Sequence, residues 1–178
     1  KEGGIQEKAE LVKKMVIRPV TEGDPLLAKR FKSAPGGYSI RPPAGFVKSA
    51  MSRAAESIPA RAPACFKDGA SGESLTIFAS LKNAGIPSVA MLADVRDGLA
   101  REAAKSPQAR LIGTDIFSYK GRYFVQSLVQ SGSRVKLHLS VFCQSGKAVQ
   151  LDYLVKTENY RFKARTIEAS IASLEVGE

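Results

Sequence analysis

Residues 134–144 read Arg134-Val135-Lys136-Leu137-His138-Leu139-Ser140-Val141-Phe142-Cys143-Gln144. Val135, Leu137, Leu139, Val141 and Cys143 alternate with Lys136, His138, Ser140, Phe142 and Gln144. A period of two puts the first set on one face of a strand and the second on the other. Working outward, 110–119 and 122–131 precede this strand and 148–157 follows it. The breaks between them are short: Lys120-Gly121, Gly132-Ser133 and Ser145-Gly146-Lys147. Connections of two or three residues join antiparallel neighbours, so 109–157 is predicted to be a four-stranded meander. The rest of the chain must cover it.

At 178 residues the chain suits one domain that buries its own core. Hydrophobic residues make up 44% and charged residues 25%, the balance of an ordinary globular protein. No apolar run approaches the ~20 residues that a membrane-spanning helix needs. Residues 1–16 are too charged for the apolar core of a signal peptide, so an exported form would be one whose leader has been removed. The net charge is +10, from 27 basic and 17 acidic side chains, and is spread evenly with no basic block. Such an excess either solvates the surface or, once folded, forms a basic face for an anionic partner.

The two cysteines, Cys65 and Cys143, have neither CxxC nor zinc-finger spacing. Cys143 continues the apolar face of its strand and reads as a buried thiol. The alternative is a Cys65–Cys143 disulfide, which implies an oxidising compartment.

Along the rest of the chain, 5–17 has helical spacing, with Ile5, Ala9, Val12 and Val16 on one stripe. Asp24-Pro25 looks like the start of a second short helix reaching about Lys32. Residues 1–35 are thus expected to be a helical arm or tether, and 36–178 the domain proper. Residues 37–41 form a short strand and 46–51 its partner. Residues 52–63 are a surface loop, and 64–67 with 74–81 a hairpin about the turn 68–72. The best helix is 88–105, capped by Ser88, with Val89, Leu92, Leu99 and Ala103 on one stripe and an outer Asp97–Arg101 pair. Gly98 sits in its middle. A last helix, 161–174, places Ala164, Ile167, Ile171 and Leu174 inward. Phe124, Leu128, Phe142 and Leu154 are assigned to the meander's second face, which would therefore also be covered. The expected class is α+β: an antiparallel sheet of six or more strands with helices on both faces.

Gly36-Gly37-Tyr38-Ser39-Ile40-Arg41-Pro42-Pro43-Ala44-Gly45-Phe46 resembles the opening of the PsbP-like α/β/α sandwich family, which includes PsbP and DcrB-type envelope domains. There a Gly-aromatic-x-aliphatic-x-x-Pro-x-x-aromatic run forms the first two strands. Asp152-Tyr153-Leu154-Val155, followed by Tyr160 to Leu174, resembles that family's last strand and C-terminal helix, with Ser173-Leu174 closing it. The resemblance covers about 36–176. It implies a small non-enzymatic domain, often exported. Known members include lumenal subunits that hold ions at photosystem II, bacterial envelope lipoproteins and a nuclear relative that binds the GTPase Ran. They share no active site, so the resemblance by itself selects no partner.

No catalytic, cofactor or metal motif stands out. His138 is the sole histidine and lies on the polar side of its strand. Asp115 and Asp152 are carboxylates within strands, and with His138 they would make a hydrolase only if the fold brought them together. No Gly-x-Ser-x-Gly elbow occurs. Tyrosines lie among basic residues near the first hairpin of the meander and at the last helix. The expected reading is a domain without enzyme activity or cofactor, exported to a periplasm or lumen. It would dock on an acidic protein or anionic envelope surface through Lys120, Arg122, Tyr160, Arg161, Lys163 and Arg165. A nucleic-acid-binding module is one alternative, because aromatics among basics can stack bases and hold phosphates. A hydrolase using Asp115, Asp152 or His138 is the other.

Overall fold

The computed structural model describes residues 15–51, 62–80 and 83–177. Most of the helix expected at 5–17, most of the loop expected at 52–63, and Leu81 lie outside them. In chain order the described elements are β1 (Phe31–Ser33), β2 (Tyr38–Ile40), β3 (Phe46–Ser49), β4 (Ala64–Asp68), β5 (Ser74–Ser80) and α1 (Val89–Ala104). Then come β6 (Ala109–Tyr119), β7 (Arg122–Ser131), β8 (Arg134–Phe142), β9 (Ala148–Lys156), α2 (Thr157–Ala172) and β10 (Glu175–Val176).

The meander forms as the alternation requires. β6 to β9 pair antiparallel in succession, and β5 adds to β9, giving a seven-stranded sheet in the order β3-β4-β5-β9-β8-β7-β6. At the β6–β7 hairpin Lys120 (φ 50°) and Gly121 (φ 72°) are both left-handed, the backbone of a type I′ turn. A bulge between Leu111 and Gly113 interrupts the outer strand β6. One face of the sheet, here the Leu139 face, carries Val135, Leu137, Leu139, Val141, Leu151 and Tyr153, all essentially buried. α2 lies on it along β8 and β9 and inserts Ile167 and Ile171. Each such aliphatic contributes roughly 1.5–3 kcal/mol by leaving water. Tyr153, at the centre, donates its hydroxyl to Ser170 Oγ at 2.8 Å.

The opposite, His138 face is covered by α1 over β6 and β7. Val125 and Ser127 are buried there. The registers correct the residues expected on this face. Phe124 pairs with Val141 and Leu128 with Leu137, so both belong to the Leu139 face. Phe142 and Leu154 do lie opposite. A two-residue hairpin fixes which residues stand across from one another, and a one-residue error inverts every side chain.

α1 begins where expected: Ser88 Oγ accepts the Met91 amide at 3.2 Å. Of the expected stripe only Leu92 is buried, and Val89 is 86% exposed. The expected Asp97–Arg101 pair is replaced by Arg96 Nε to Asp97 Oδ1 at 3.2 Å. Gly98 has ordinary φ, and a Cβ built there meets nothing closer than Arg101 Nη2 at 3.8 Å. Gly98→Ala is therefore expected to stabilise the protein by about 0.5–1 kcal/mol, read as a higher urea midpoint at unchanged slope.

The N-terminal region departs from expectation. Residues 24–32 form no helix, and Phe31–Ser33 is a strand. Asp24 Oδ1 accepts the Leu26 amide at 2.9 Å, a local turn rather than a cap. The carbonyls that would drive a helix are used by the buried Arg41. Its Nε takes Ala28 O at 2.9 Å, Nη1 takes Thr21 O at 2.9 Å, and Nη2 takes Asp24 O at 3.1 Å and Leu27 O at 3.2 Å. The strand pair expected between 37–41 and 46–51 also does not form. β2 pairs instead with β1 and β10 in a separate three-stranded sheet, and β3 pairs with β4. Pro42 and Pro43 carry no amide hydrogen for a ladder, and the chain passes between sheets there.

Candidate functional site

α2 starts four residues earlier than its apolar spacing indicates. Lys156 at its N-cap makes no side-chain cap bond, and the service comes from the β4–β5 turn instead. Glu73, with 0% exposure, accepts the Lys156 amide at 3.0 Å and the Asn159 side-chain amide at 3.3 Å. Lys163 Nζ lies 3.3 Å from its other oxygen. Burial raises its carboxyl pKa, but the Lys156 and Asn159 donors and the Lys163 charge outweigh this and hold it below the ordinary value. A carboxylate at a helix N-terminus also complements the helix dipole.

This arrangement sorts the six residues expected to bind a partner. Tyr160 is buried, and burial pushes its phenol up to about 12. Lys163 serves Glu73 and stands 5.6 Å from the Phe46 ring centroid. Arg122 Nη1 donates to Leu174 O at 2.7 Å, closing the far end of the helix region. Lys120 lies in the hairpin turn with Nζ 5.6 Å from the Tyr119 ring centroid. Arg161 and Arg165 are exposed on the first half of α2. Arg122 thus meets the chain just past the C-terminal end of α2, whereas Arg161 and Arg165 lie in its first half.

Between Arg161 and Arg165 stands Phe162, 81% exposed. Sequence reasoning passed over it, although the signal was present. The spacing that turns Ile167 and Ile171 inward turns Phe162 outward. An exposed aromatic with an arginine three residues away on one helix face makes a compact apolar and cationic knob.

On the other side of the sheet, successive registers align Cys65, Thr76, Asp152, His138, Ser127 and Thr114 in one polar row across six strands. His138 Nδ1 is 2.6 Å from Asp152 Oδ1, and His138 Nε2 is 3.0 Å from Ser140 Oγ. Lys136 Nζ stands 3.9 Å from the same Asp152 oxygen. The fold thus joins two of the three groups expected of a hydrolase. It separates the third, because Asp115 pairs with Gln126 on the Leu139 face. Asp115 Oδ1 accepts the Ile116 amide at 2.9 Å, satisfying a backbone donor of the outer strand. Ser140 was not singled out by sequence, since a serine in a strand carries no motif.

Cys65 and Cys143 are both buried and are not bridged. Cys65 lies in the polar row beneath the Thr76 hydroxyl, which approaches its sulfur at 3.7 Å. Cys143 belongs to the core of the Leu139 face. The sheet stands between them, and a disulfide requires Cα atoms within about 7 Å. Among the described residues no group of three or more His, Cys, Asp or Glu side chains converges as a metal site. No helix among them is long and apolar enough to cross a membrane.

By sequence, no protein family and no curated protein matches the chain. Among solved structures, the solution structure of cyanobacterial PsbP (CyanoP) from Synechocystis sp. PCC 6803 is similar, with a TM-score of 0.61 at 19% identity. The match covers 89% of this chain and 98% of that one. A crystal structure from Bacteroides thetaiotaomicron matches 84% of this chain and 48% of its own length, at 16% identity and a TM-score of 0.41.

Proposed function

From the premise that this chain has a PsbP-like fold, we propose that it is an accessory domain that docks on an acidic protein, in an exported or envelope-associated setting. The observation that carries the reading is the Phe162 knob, 81% exposed on a helix whose other side is packed into the core. Arg161 and Arg165 flank it on the same helix. Aromatic and arginine side chains are the usual anchors of protein interfaces, since each covers a large area at small conformational cost. The net charge of +10 raises the encounter rate with an acidic partner and makes it sensitive to salt. A single aromatic is too little apolar area for stable insertion into a lipid surface, which favours a protein partner.

The test places a photo-crosslinking phenylalanine analogue at 162, with position 89 on α1 as an exposed control, in cells that express the full gene product. A discrete adduct with an acidic protein is expected from 162 and not from 89. It should fade at about 1 M salt, where screening acts over roughly 3 Å, and disappear with Arg161→Glu/Arg165→Glu. Equal labelling from both positions, or an adduct indifferent to charge reversal, overturns the reading. A nucleic-acid adduct from 162 would replace it with the alternative of a nucleic-acid-binding module. Fractionation of the same cells checks export independently.

A further inference from the structure

We propose that Ser140, His138 and Asp152 form a nucleophilic centre on the His138 face that takes the acyl group of small carboxylic esters. The three side chains stand in the order carboxylate, imidazole, hydroxyl. Nδ1 to Oδ1 is 2.6 Å and Nε2 to Oγ is 3.0 Å, both within the range expected of a working relay. With the Asp152 carboxylate accepting the Nδ1 proton, the tautomer of His138 is set, and Nε2 presents its lone pair to the Ser140 hydroxyl. Ser140 is 5% exposed, and the His138 and Asp152 side chains are 13% and 19% exposed.

The surroundings match an acyl substrate. α1 covers β6 and β7, and the relay lies on the next two strands. Gln150, the register partner of Ser140 on β9, lies on the same face and is exposed, and it is the donor of the proposed centre for an oxygen developing beside Oγ. Phe78, the register partner of Gln150, is half-buried and offers an apolar wall for a short acyl chain. In the reaction Oγ bonds to the acyl carbon while His138 Nε2 takes its proton. The ester C–O bond then breaks, and the leaving alcohol takes that proton from Nε2. Nε2 then takes a proton from water, whose oxygen bonds to the acyl carbon; the acyl–Oγ bond breaks, Oγ takes the proton back from Nε2, and the carboxylic acid leaves. Ser140, His138 and Gln150 are the catalytic residues, and Asp152 is a positioning residue.

The activity is separate from docking at Phe162, and Ser140→Ala is expected to leave the position-162 adduct intact. The test uses the full chain with a fluorophosphonate probe, intact mass and peptide mapping, and with p-nitrophenyl acetate. One equivalent of label on Ser140 is expected, and none in Ser140→Ala. Labelling should slow about 100-fold in His138→Gln and about 100-fold in Gln150→Ala. Asp152→Asn, which keeps the shape and removes the acceptor, should lower kcat for p-nitrophenyl acetate with KM unchanged, and Asp152→Glu should restore part of the rate, a pattern that a purely structural role would not produce. Should His138→Gln fail to fold, labelling of the wild type and of Ser140→Ala decides. Absence of label on folded wild type, label elsewhere, or p-nitrophenol release unchanged in Ser140→Ala overturns the proposal.

Discussion

Glu73→Gln is expected to lower the unfolding free energy by about 3 kcal/mol. Removing one partner of a buried ion pair costs about 3–5 kcal/mol because the other charge is left uncompensated. The low end applies because Lys163 is 30% exposed at its side chain and can turn to water, whereas Glu73 is fully buried. The substituted amide also turns a donor toward the Lys156 amide or the Asn159 amide, where the wild type offers only acceptors. Urea unfolding at pH 7 measures the effect, and a change below about 1 kcal/mol would show that the α2 N-terminus does not depend on this carboxylate. The pH dependence has a definite sign. The folded pKa of Glu73 is lowered, so its contribution is complete above the ordinary carboxylate pKa of 4.5 and is lost as pH falls through the depressed folded value. Wild type and variant should therefore converge in acid and diverge on going to neutrality.

Arg41→Met is expected to release residues 21–28 from the domain and to cost about 3 kcal/mol. Four carbonyls lose a charged donor at once, each such bond being worth about 1.5–3 kcal/mol, less what water recovers for those near the surface. Arg41→Lys should recover little, because an ammonium cannot span four acceptors as the planar guanidinium does. Part of the loss is local, so hydrogen exchange separates arm from core. The amides of Ala28 and Ala44, bonded to Pro42 O and Leu26 O, should exchange about 100-fold faster, while those of β8 keep global protection. If Ala28 and Ala44 exchange as in the wild type, the latch is not what holds the arm. Arg41 also anchors the opposite side through its backbone. Its amide donates to Ser173 Oγ at 2.9 Å and its carbonyl accepts from Ser170 Oγ at 2.8 Å, bonds that the substitution leaves in place.

The site was only partly legible. Once Phe142 is known to face Ala148, counting back along both strands places His138 opposite Asp152. That pair was within reach of the sequence had the register of the last hairpin been fixed. The loop from Cys143 to Lys147 decides it, through the Cys143 amide on Lys147 O at 2.9 Å and the Gly146 amide on Cys143 O at 3.0 Å. Alternation alone distinguishes two faces but leaves the offset between strands open. Phe124, Leu128 and Asp115 were legible in principle, because the two-residue hairpins at 120–121 and 132–133 set Asp115 opposite Gln126, Phe124 opposite Val141 and Leu128 opposite Leu137, all on the Leu139 face. Phe162 was legible from helical spacing. Glu73 was not, because nothing in Asp68-Gly69-Ala70-Ser71-Gly72-Glu73 signals a carboxylate that caps a helix more than 80 residues later.

The sequence by itself determined the four-stranded meander, the Ser88-capped helix, the closing helix and hence the α+β class. Each is written in a local period, two for strands and about 3.6 for helices, that needs no distant partner. Only the tertiary structure decided which carbonyls Arg41 would hold, that Glu73 would start α2, and that Ser140, His138 and Asp152 would stand in line. Those facts are contacts between residues far apart in the chain, or offsets between strands. Buried charges must find partners wherever the folded chain supplies them, and no local pattern records where that is.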